Sequence, residues 1–184
     1  KYITTKKNYP LIVLQKNNRI LASVEIHNNK YYLIEPNLTG LTHKLIHYLT
    51  DNKTEPNQDN IRKTCKKFKV QYSDDLADVT RYYVDRNKGL GKIEPLIRDK
   101  NINTIEIKNI LEPGVINFNF NKLSTNIIYN SSKELNDLIL HIARILHNHV
   151  NEDEPFLEGI LPSGHSVQAT FGSKYMHPKI ILTR

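Results

Sequence analysis

The sequence predicts an α+β fold in which a small N-terminal β/helical subdomain precedes a mixed sheet flanked by helices. Strand-length segments rich in Val, Ile and Tyr occur in two separate groups, at residues 9–36 and 102–183. Segments with apolar residues at helical spacing lie between these groups and inside the second one. The chain has 184 residues, 39% of them hydrophobic, which is enough for one large domain or two small ones with a shared core.

The first group contains three predicted strands, at Leu11–Leu14, Ile20–Ile26 and Tyr31–Ile34. Asn17-Asn18 and Asn28-Asn29 separate them, and asparagine tolerates the left-handed backbone of tight turns. The pattern therefore indicates a small antiparallel unit at the start of the chain.

Three helices are predicted next. Thr39 or Thr42 is expected to cap the first, and the second covers about Asp59–Phe68. The third begins after Ser73 and ends at Asn87-Lys88-Gly89, where basic residues and a glycine favour a helix C-terminus.

The second group begins after Gly89-Leu90-Gly91, which we interpret as a flexible turn or hinge, and a short helical turn at Ile93–Ile97. Ser131 or Ser132 is expected to cap a long amphipathic helix. Six strands are predicted around that helix, with Glu112-Pro113-Gly114 between the first two: Ile102–Ile107, Val115–Phe120, Thr125–Tyr129, Phe156–Ile160, Ser166–Phe171 and Lys179–Thr183. We place the boundary between the two parts within residues 70–90 and assign residues 1–75 to the first and 76–184 to the second.

The composition limits the classes of partner. The formal net charge is +7 and the pI is near 9.4, which favours polyanions such as nucleic acid, an anionic membrane surface or an acidic protein face. A single cysteine, Cys65, is compatible with a reducing cytosol. The sequence has neither an apolar stretch of transmembrane length nor the apolar core of a secretory signal.

The densest basic stretch has two interpretations. Helical spacing places Arg62, Lys66 and Lys69 on one face, which is most simply a solvated surface. The alternative is a free-standing basic module that binds nucleic acid through residues 62–69. No aromatic ladder is interleaved with these residues, so nucleic acid is the less favoured partner.

The sequence lacks the residue patterns of catalysis. It contains no G-x-x-x-x-G-K-[ST] loop for phosphates, and Gly89-Leu90-Gly91-Lys92 lacks the remaining glycine and the Ser or Thr of such motifs. His43 and His47 have metal-ligand spacing, yet no third ligand follows. Cys65 has no neighbouring histidine to activate it. We therefore expect no catalytic residue, no metal site and no enzymatic activity in this chain.

Four segments carry a resemblance to a known family. Tyr32–Pro36, continued by Leu38-Thr39, is similar to a "Y-x-I-E-P-x-L" segment. Gly89–Asp99 resembles "G-x-G-x-I-D-P-L-x-x-D", Leu123–Ile127 resembles a "TN" strand, and Glu154–Gly164 resembles "P-x-[LI]-[DE]-G-x-L-P-D-G". In this order and spacing they resemble the N-terminal region of the type II/type IV secretion ATPases, in particular the archaeal-type pilus and archaellum motors.

Two positions depart from that pattern. The family has an arginine two residues after the glycine of "L-P-D-G", whereas this chain has His165 followed by Ser166. Its acidic pair is replaced by Asn103-Thr104. The last residues, Ile181–Arg184, approximate the family's "F-T-I-R" strand, so we expect a motor domain with the Walker A loop downstream.

The resemblance implies a cytoplasmic hexamer at the inner face of the membrane that uses ATP and Mg²⁺ for pilus assembly or protein secretion. Its N-terminal part would cover the nucleotide held by the motor domains of the same and neighbouring subunits, and it would contact a membrane platform protein. The implied nucleotide-contacting residues are Arg184 first, then Arg98 and Arg144. The predicted hinge and turn residues are Gly89, Gly91, Pro95, Gly159, Pro162 and Gly164. The chain by itself is expected to be monomeric, without cofactor and unable to bind ATP at micromolar concentration.

Overall fold

The computed structural model describes residues 6–14 and 18–184, and within them the chain forms nine strands and five helices. The strands are β1 Lys7–Leu14, β2 Arg19–His27, β3 Lys30–Ile34, β4 Ile102–Ile107, β5 Pro113–Phe118, β6 Asn121–Ile128, β7 Phe156–Ile160, β8 Ser166–Thr170 and β9 Lys179–Thr183. The helices are α1 Gly40–Asp51, α2 Gln58–Lys67, α3 Asp74–Lys88, α4 Glu94–Arg98 and α5 Ser132–Ile145. A short 3₁₀ turn, Gly91–Ile93, joins α3 to α4.

The described strands form one mixed sheet in the order β1-β2-β3-β6-β5-β4-β9-β8-β7. Seven of its pairings are antiparallel, and β3 with β6 is parallel. The buried side chains of the strands and helices form a continuous hydrophobic core. The predicted α+β class with a mixed sheet is confirmed.

Two-residue turns set the register of two hairpins. Asn28 and Asn29 have φ of 51° and 56° between the partners His27 and Lys30, as the asparagine pair predicts. Asn18 is also left-handed, while Asn17 lies outside the described residues.

A second turn of this kind makes one predicted strand boundary wrong. Asn119 and Phe120 have φ of 47° and 65° between the partners Phe118 and Asn121. The strand predicted to reach Phe120 therefore ends at Phe118, and the next one begins at Asn121. Phe120 continues the apolar alternation but is 90% exposed, which explains the error.

Side-chain caps define where the four longest helices begin. Thr39, Asn57, Ser73 and Ser131 each accept a hydrogen bond from a backbone N–H in the first turn of the helix that follows. The cap choices left open by the sequence are thereby resolved in favour of Thr39 and Ser131. None of the described helices is long and apolar enough to cross a membrane.

Side chains reinforce the parallel joint between β3 and β6. The Asn126 amide accepts from the Leu33 N–H and donates to the Leu33 carbonyl, both at 2.9 Å, in the manner of a paired strand residue. Nearby, the buried Asp99 carboxylate accepts hydrogen bonds from the hydroxyls of Tyr9 and Tyr31. The Asn101 backbone and side chain also donate to Asp99, at 3.0 and 2.9 Å.

The sheet runs through both predicted parts of the chain. The boundary at residues 75/76 falls in the first turn of α3, so the division into two parts stays a prediction. At the far edge, β7 exposes Phe156 and Ile160, while the side chain of Leu146 packs against Gly159.

Candidate functional site

The segment from Gly89 to Arg98 is a tightly bonded turn. One oxygen of Glu94 accepts the Leu90 N–H at 3.0 Å, and the other accepts from Nε and Nη2 of Arg98 at 3.1 and 2.9 Å. A Cβ on Gly89 would lie 2.4 Å from the Glu94 carboxylate, so a larger residue here would have to displace that side chain. The side chain of Leu90 is buried. The hydrogen bonds of Glu94 hold this segment in place in the structure. The hinge role of Gly89 and Gly91 stays a prediction.

Arg184 and Arg98 lie at the same end of α4. The Arg184 N–H donates to the Asn103 carbonyl at 2.9 Å, extending the pairing of β9 with β4. Its guanidinium Nη2 donates to the Ile97 carbonyl at 2.9 Å, one residue before Arg98. The remaining guanidinium N–H groups of Arg184 have no hydrogen-bond partner among the described residues.

His165 belongs to the same corner. Its side chain is buried, and Nδ1 lies 3.0 Å from the Ser163 hydroxyl. Burial and, next, the positive charge of Arg184 lower the pKa of His165, because both disfavour the protonated imidazole. We name Arg98, Arg184 and His165 the arginine corner.

No sequence pattern associates His165 with Arg184, which lie 19 residues apart along the chain. Ser166 and Thr183 are partners in the β8–β9 register, which brings the preceding His165 close to the following Arg184. The alternation of the two strands, once paired as a hairpin, was the signal that could have revealed this proximity.

The third predicted arginine, Arg144, lies elsewhere. It is exposed near the C-terminus of α5, and among the described residues no contact joins it to the arginine corner. The other predicted turn residues are placed in three settings. Pro95 is buried in α4, Gly159 lies within β7, and Pro162 and Gly164 form the β7–β8 connection, where Gly164 has φ of +83°.

A cavity of about 170 Å³ lies between α3, α4 and the first two strands. Its apolar lining comes from Ile12, Leu14, Leu21 and Pro95. Its charged lining alternates in sign and consists of Asp78, Arg81, Asp85, Arg86, Glu94 and Arg98. The three arginines are each paired with a carboxylate: Arg81 with Asp78, Arg86 with Glu35 and Arg98 with Glu94. The cavity therefore has balanced charge, and Arg98 connects it to the arginine corner.

The remaining chemistry-bearing residues are structural or solvated. Cys65 is buried in α2, and burial raises the pKa of its thiol, which opposes reactivity. His47 is bonded to Asp51 at 2.7 Å on the exposed side of α1. No group of three potential metal ligands occurs among the described residues. The arginine corner thus offers guanidinium donors for an oxyanion but no catalytic constellation.

Comparison with known proteins gives partial matches. No protein-family model matches the chain. The uncharacterized protein MJ1288 of Methanocaldococcus jannaschii is 27% identical over 161 residues, which cover 78% of this chain and 64% of that protein. The uncharacterized protein MJ0900 of the same organism is 26% identical over 106 residues, 57% of this chain and 19% of that protein. The chain therefore spans less than two thirds of the length of either relative.

Among solved structures, the VirB11 ATPase from the Brucella suis type IV secretion system, in complex with sulphate, is similar to part of this fold. The TM-score is 0.44 with 16% sequence identity, over 56% of this chain and 32% of that chain. This similarity is limited to the backbone fold of part of the chain and gives no information about activity.

Proposed function

We propose that this chain is the N-terminal regulatory and interaction part of a hexameric secretion ATPase that powers pilus assembly or protein secretion. In this proposal the nucleotide and Mg²⁺ belong to a motor domain of the parent protein. The chain covers that nucleotide and contacts a platform protein at the inner face of the membrane.

The observation that carries the proposal is the position of the family-like motifs in the fold. Asn126, of the "TN" segment, bonds both backbone groups of Leu33, which lies in the "Y-x-I-E-P-x-L" segment. Asp99, the last residue of the glycine-rich motif, accepts from Tyr31, the residue just before that segment. Residues from motifs that are remote in sequence are thus hydrogen-bonded to one another at the joint between β3 and β6. This contact supports the interpretation that the motifs belong to one structural framework, as the resemblance to secretion ATPases implies.

The described residues do not fit a nucleotide site by themselves. The sequence has no phosphate-binding loop, and the described part of the chain has no cluster of metal ligands. What the chain offers is Arg184, whose planar fork bonds two oxygens of an anion at once. Its contact with Ile97 orients the guanidinium without using up its donors.

The test is carried out on the parent protein that contains this chain. Arg184→Ala is expected to lower ATPase turnover by on the order of a thousandfold, as for other arginines that reach a transferred phosphate. Arg184→Lys should also fail, because lysine keeps the charge but lacks the fork. Lys174→Ala removes an exposed cation outside the site and is expected to leave turnover unchanged. A parent without ATPase activity, or a fully active Arg184→Ala variant with an unchanged unfolding temperature, would overturn the proposal.

A further inference from the structure

We propose that the solvent face of α2 binds an anionic lipid surface. Five cations on and just after this helix carry the proposal, and we name them the basic ridge: Arg62, Lys63, Lys66, Lys67 and Lys69. All five are exposed, and none forms an ion pair with a described residue. The only carboxylate of α2 is Asp59, in its first turn.

Cations elsewhere in the described chain are of both kinds: Lys44, Lys100 and Lys174 also have no ion pair with a described residue, whereas others are matched by a carboxylate. Arg86 is paired with Glu35 at 3.0 Å, Lys92 with Glu134 at 2.5 Å, and Lys133 lies 2.8 Å from Asp137. The basic ridge differs in density, because five exposed cations without an ion pair lie within the eight residues 62–69.

The ridge occupies the exposed face of α2 after its first turn, in which Gln58 and Asp59 are exposed. Arg62 and Lys66 lie one turn apart on α2, as do Lys63 and Lys67, and Lys69 follows the helix in a left-handed backbone conformation with φ of 54°. The opposite face is buried and packs into the core through Ile61, Thr64 and Cys65. A helix of 10 residues is roughly 15 Å long, so the cations form one short convex strip.

The cations of the basic ridge repel one another, and no described carboxylate is paired with them. Like charges four residues apart on a helix destabilise it, and Arg62 with Lys66 and Lys63 with Lys67 are such pairs. An anionic partner would remove the repulsion and gain attraction from all five cations at once.

The surroundings favour lipid over nucleic acid as that partner. Lys67 Nζ lies 4.0 Å from the ring centroid of Tyr48, and the Arg62 guanidinium lies 4.6 Å from that of Tyr72. Each ring thus has a cation over one face, so these aromatics do not form the open stacking platform that single strands use. Four of the five cations are lysines, which act as point charges without the bidentate fork that reads bases and phosphates.

The basic ridge has the properties that favour binding to an anionic lipid surface. Anionic headgroups attract clustered lysines on a convex helix without fixed geometry, and each cation near such a surface strengthens binding by about fivefold. Half-buried aromatic side chains beside the cations, Tyr48, Phe68 and Tyr72, suit the headgroup region. The inference goes beyond the proposed function and does not depend on it, because the ridge needs no motor domain to bind lipid.

The experiment measures binding of the intact chain to vesicles of phosphatidylcholine with about one third phosphatidylglycerol, at roughly 0.1 M salt. The ridge variant carries Lys63→Gln, Lys66→Gln and Lys69→Gln, three exposed side chains without ring contacts, so folding is preserved. The control carries Lys100→Gln, Lys174→Gln and Lys179→Gln, which lowers the net charge equally.

We expect the ridge variant to lose about 100-fold in vesicle affinity and the control no more than about fivefold. Equal losses in the two variants would assign binding to net charge and overturn the proposed site. No binding of the unchanged chain to anionic vesicles would also overturn it. The chain could instead bind a DNA or RNA oligonucleotide more tightly than vesicles at the same salt, with the same loss in the ridge variant. That result would overturn the lipid proposal and identify nucleic acid as the partner of the ridge. All of these results are independent of ATPase measurements on the parent.

Discussion

The strands within each half of the sheet and the joint between the halves are built differently. Within β1–β3 and within the other six strands, neighbours pair antiparallel through four to seven partner residues. At the joint, β3 and β6 pair parallel through two, Lys30 with Ser124 and Tyr31 with Thr125. Side chains supply what the backbone does not, through Asn126 and the Asp99 cluster. Backbone hydrogen bonds between strands thus stabilise each half of the sheet, whereas the contact between the halves depends on a few polar side chains.

The strongest test of this contrast is Asp99→Ala. It leaves the hydroxyls of Tyr9 and Tyr31 and the Asn101 donors without their acceptor in a mostly buried setting. We expect the free energy of unfolding to fall by about 4 kcal/mol, measured by urea denaturation. Asp75→Ala, which removes an exposed carboxylate paired with Arg19, is the control and should change it by less than about 1 kcal/mol. Similar losses in both would mean that the joint does not depend on Asp99.

A matched pair of asparagines gives a finer test. Asn126 bridges the N–H and C=O of Leu33 across the joint, and Asn136 bridges the same two groups of Gly172 inside the second half. Each change to alanine should reduce the free energy of unfolding by about 1–2 kcal/mol. Hydrogen exchange separates them, since only Asn126→Ala should increase exchange in β3 and β6. Faster exchange at the joint in the Asn136→Ala variant would contradict the contrast.

The turn between α3 and α4 is tested by Gly89→Ala. The new Cβ displaces the Glu94 carboxylate from Leu90 and Arg98, and we expect a loss of about 1 kcal/mol in the free energy of unfolding. Gly40→Ala is the control, because at Gly40 nothing lies within 4 Å of an added Cβ. An unchanged stability of the Gly89→Ala variant would show that this turn yields readily, as a hinge would.

The smallest expected effect lies within the second half, at the arginine corner. The pKa of His165 is lowered in the folded state, so the unfolded chain binds more protons just below the usual histidine pKa of about 6.5. Stability therefore falls as the pH drops below about 6.5, until the folded-state pKa is passed. Arg184→Ala removes part of the cause and should raise the pKa of His165 in an NMR titration. An unchanged pKa of His165 would show that Arg184 does not influence this histidine, and would contradict their grouping in the arginine corner.

The parts of the fold that were predictable are those governed by local patterns. Alternation placed β2 and β3, and Ser73 placed the start of α3, because strand faces and helix caps depend on residues close in sequence. The prediction failed at Phe120, where an apolar residue takes a left-handed, solvent-exposed position. The bonds from Asn126 to Leu33 join residues 93 apart, and no periodicity encodes such a pairing.

The candidate site divides in the same way. Arg184 was singled out through resemblance, and its contact with a nucleotide stays a prediction; in the structure its Nη2 donates to the Ile97 carbonyl. His165 was not connected with it, because their proximity follows from the β8–β9 register and not from spacing along the chain. The ring contacts of Arg62 and Lys67 were likewise hidden, since Tyr48 and Tyr72 lie on other segments.

The parallel joint also sets an order of events during folding. The turn between β2 and β3 closes after two residues, whereas Leu33 must meet Asn126 across a separation of 93 residues. Closing a loop of that length costs about 4 kcal/mol of chain entropy before any contact is gained. We therefore expect the two groups of strands to collapse first and the joint to form last. A change at Asn126 should then mainly speed unfolding and leave the folding rate nearly unchanged.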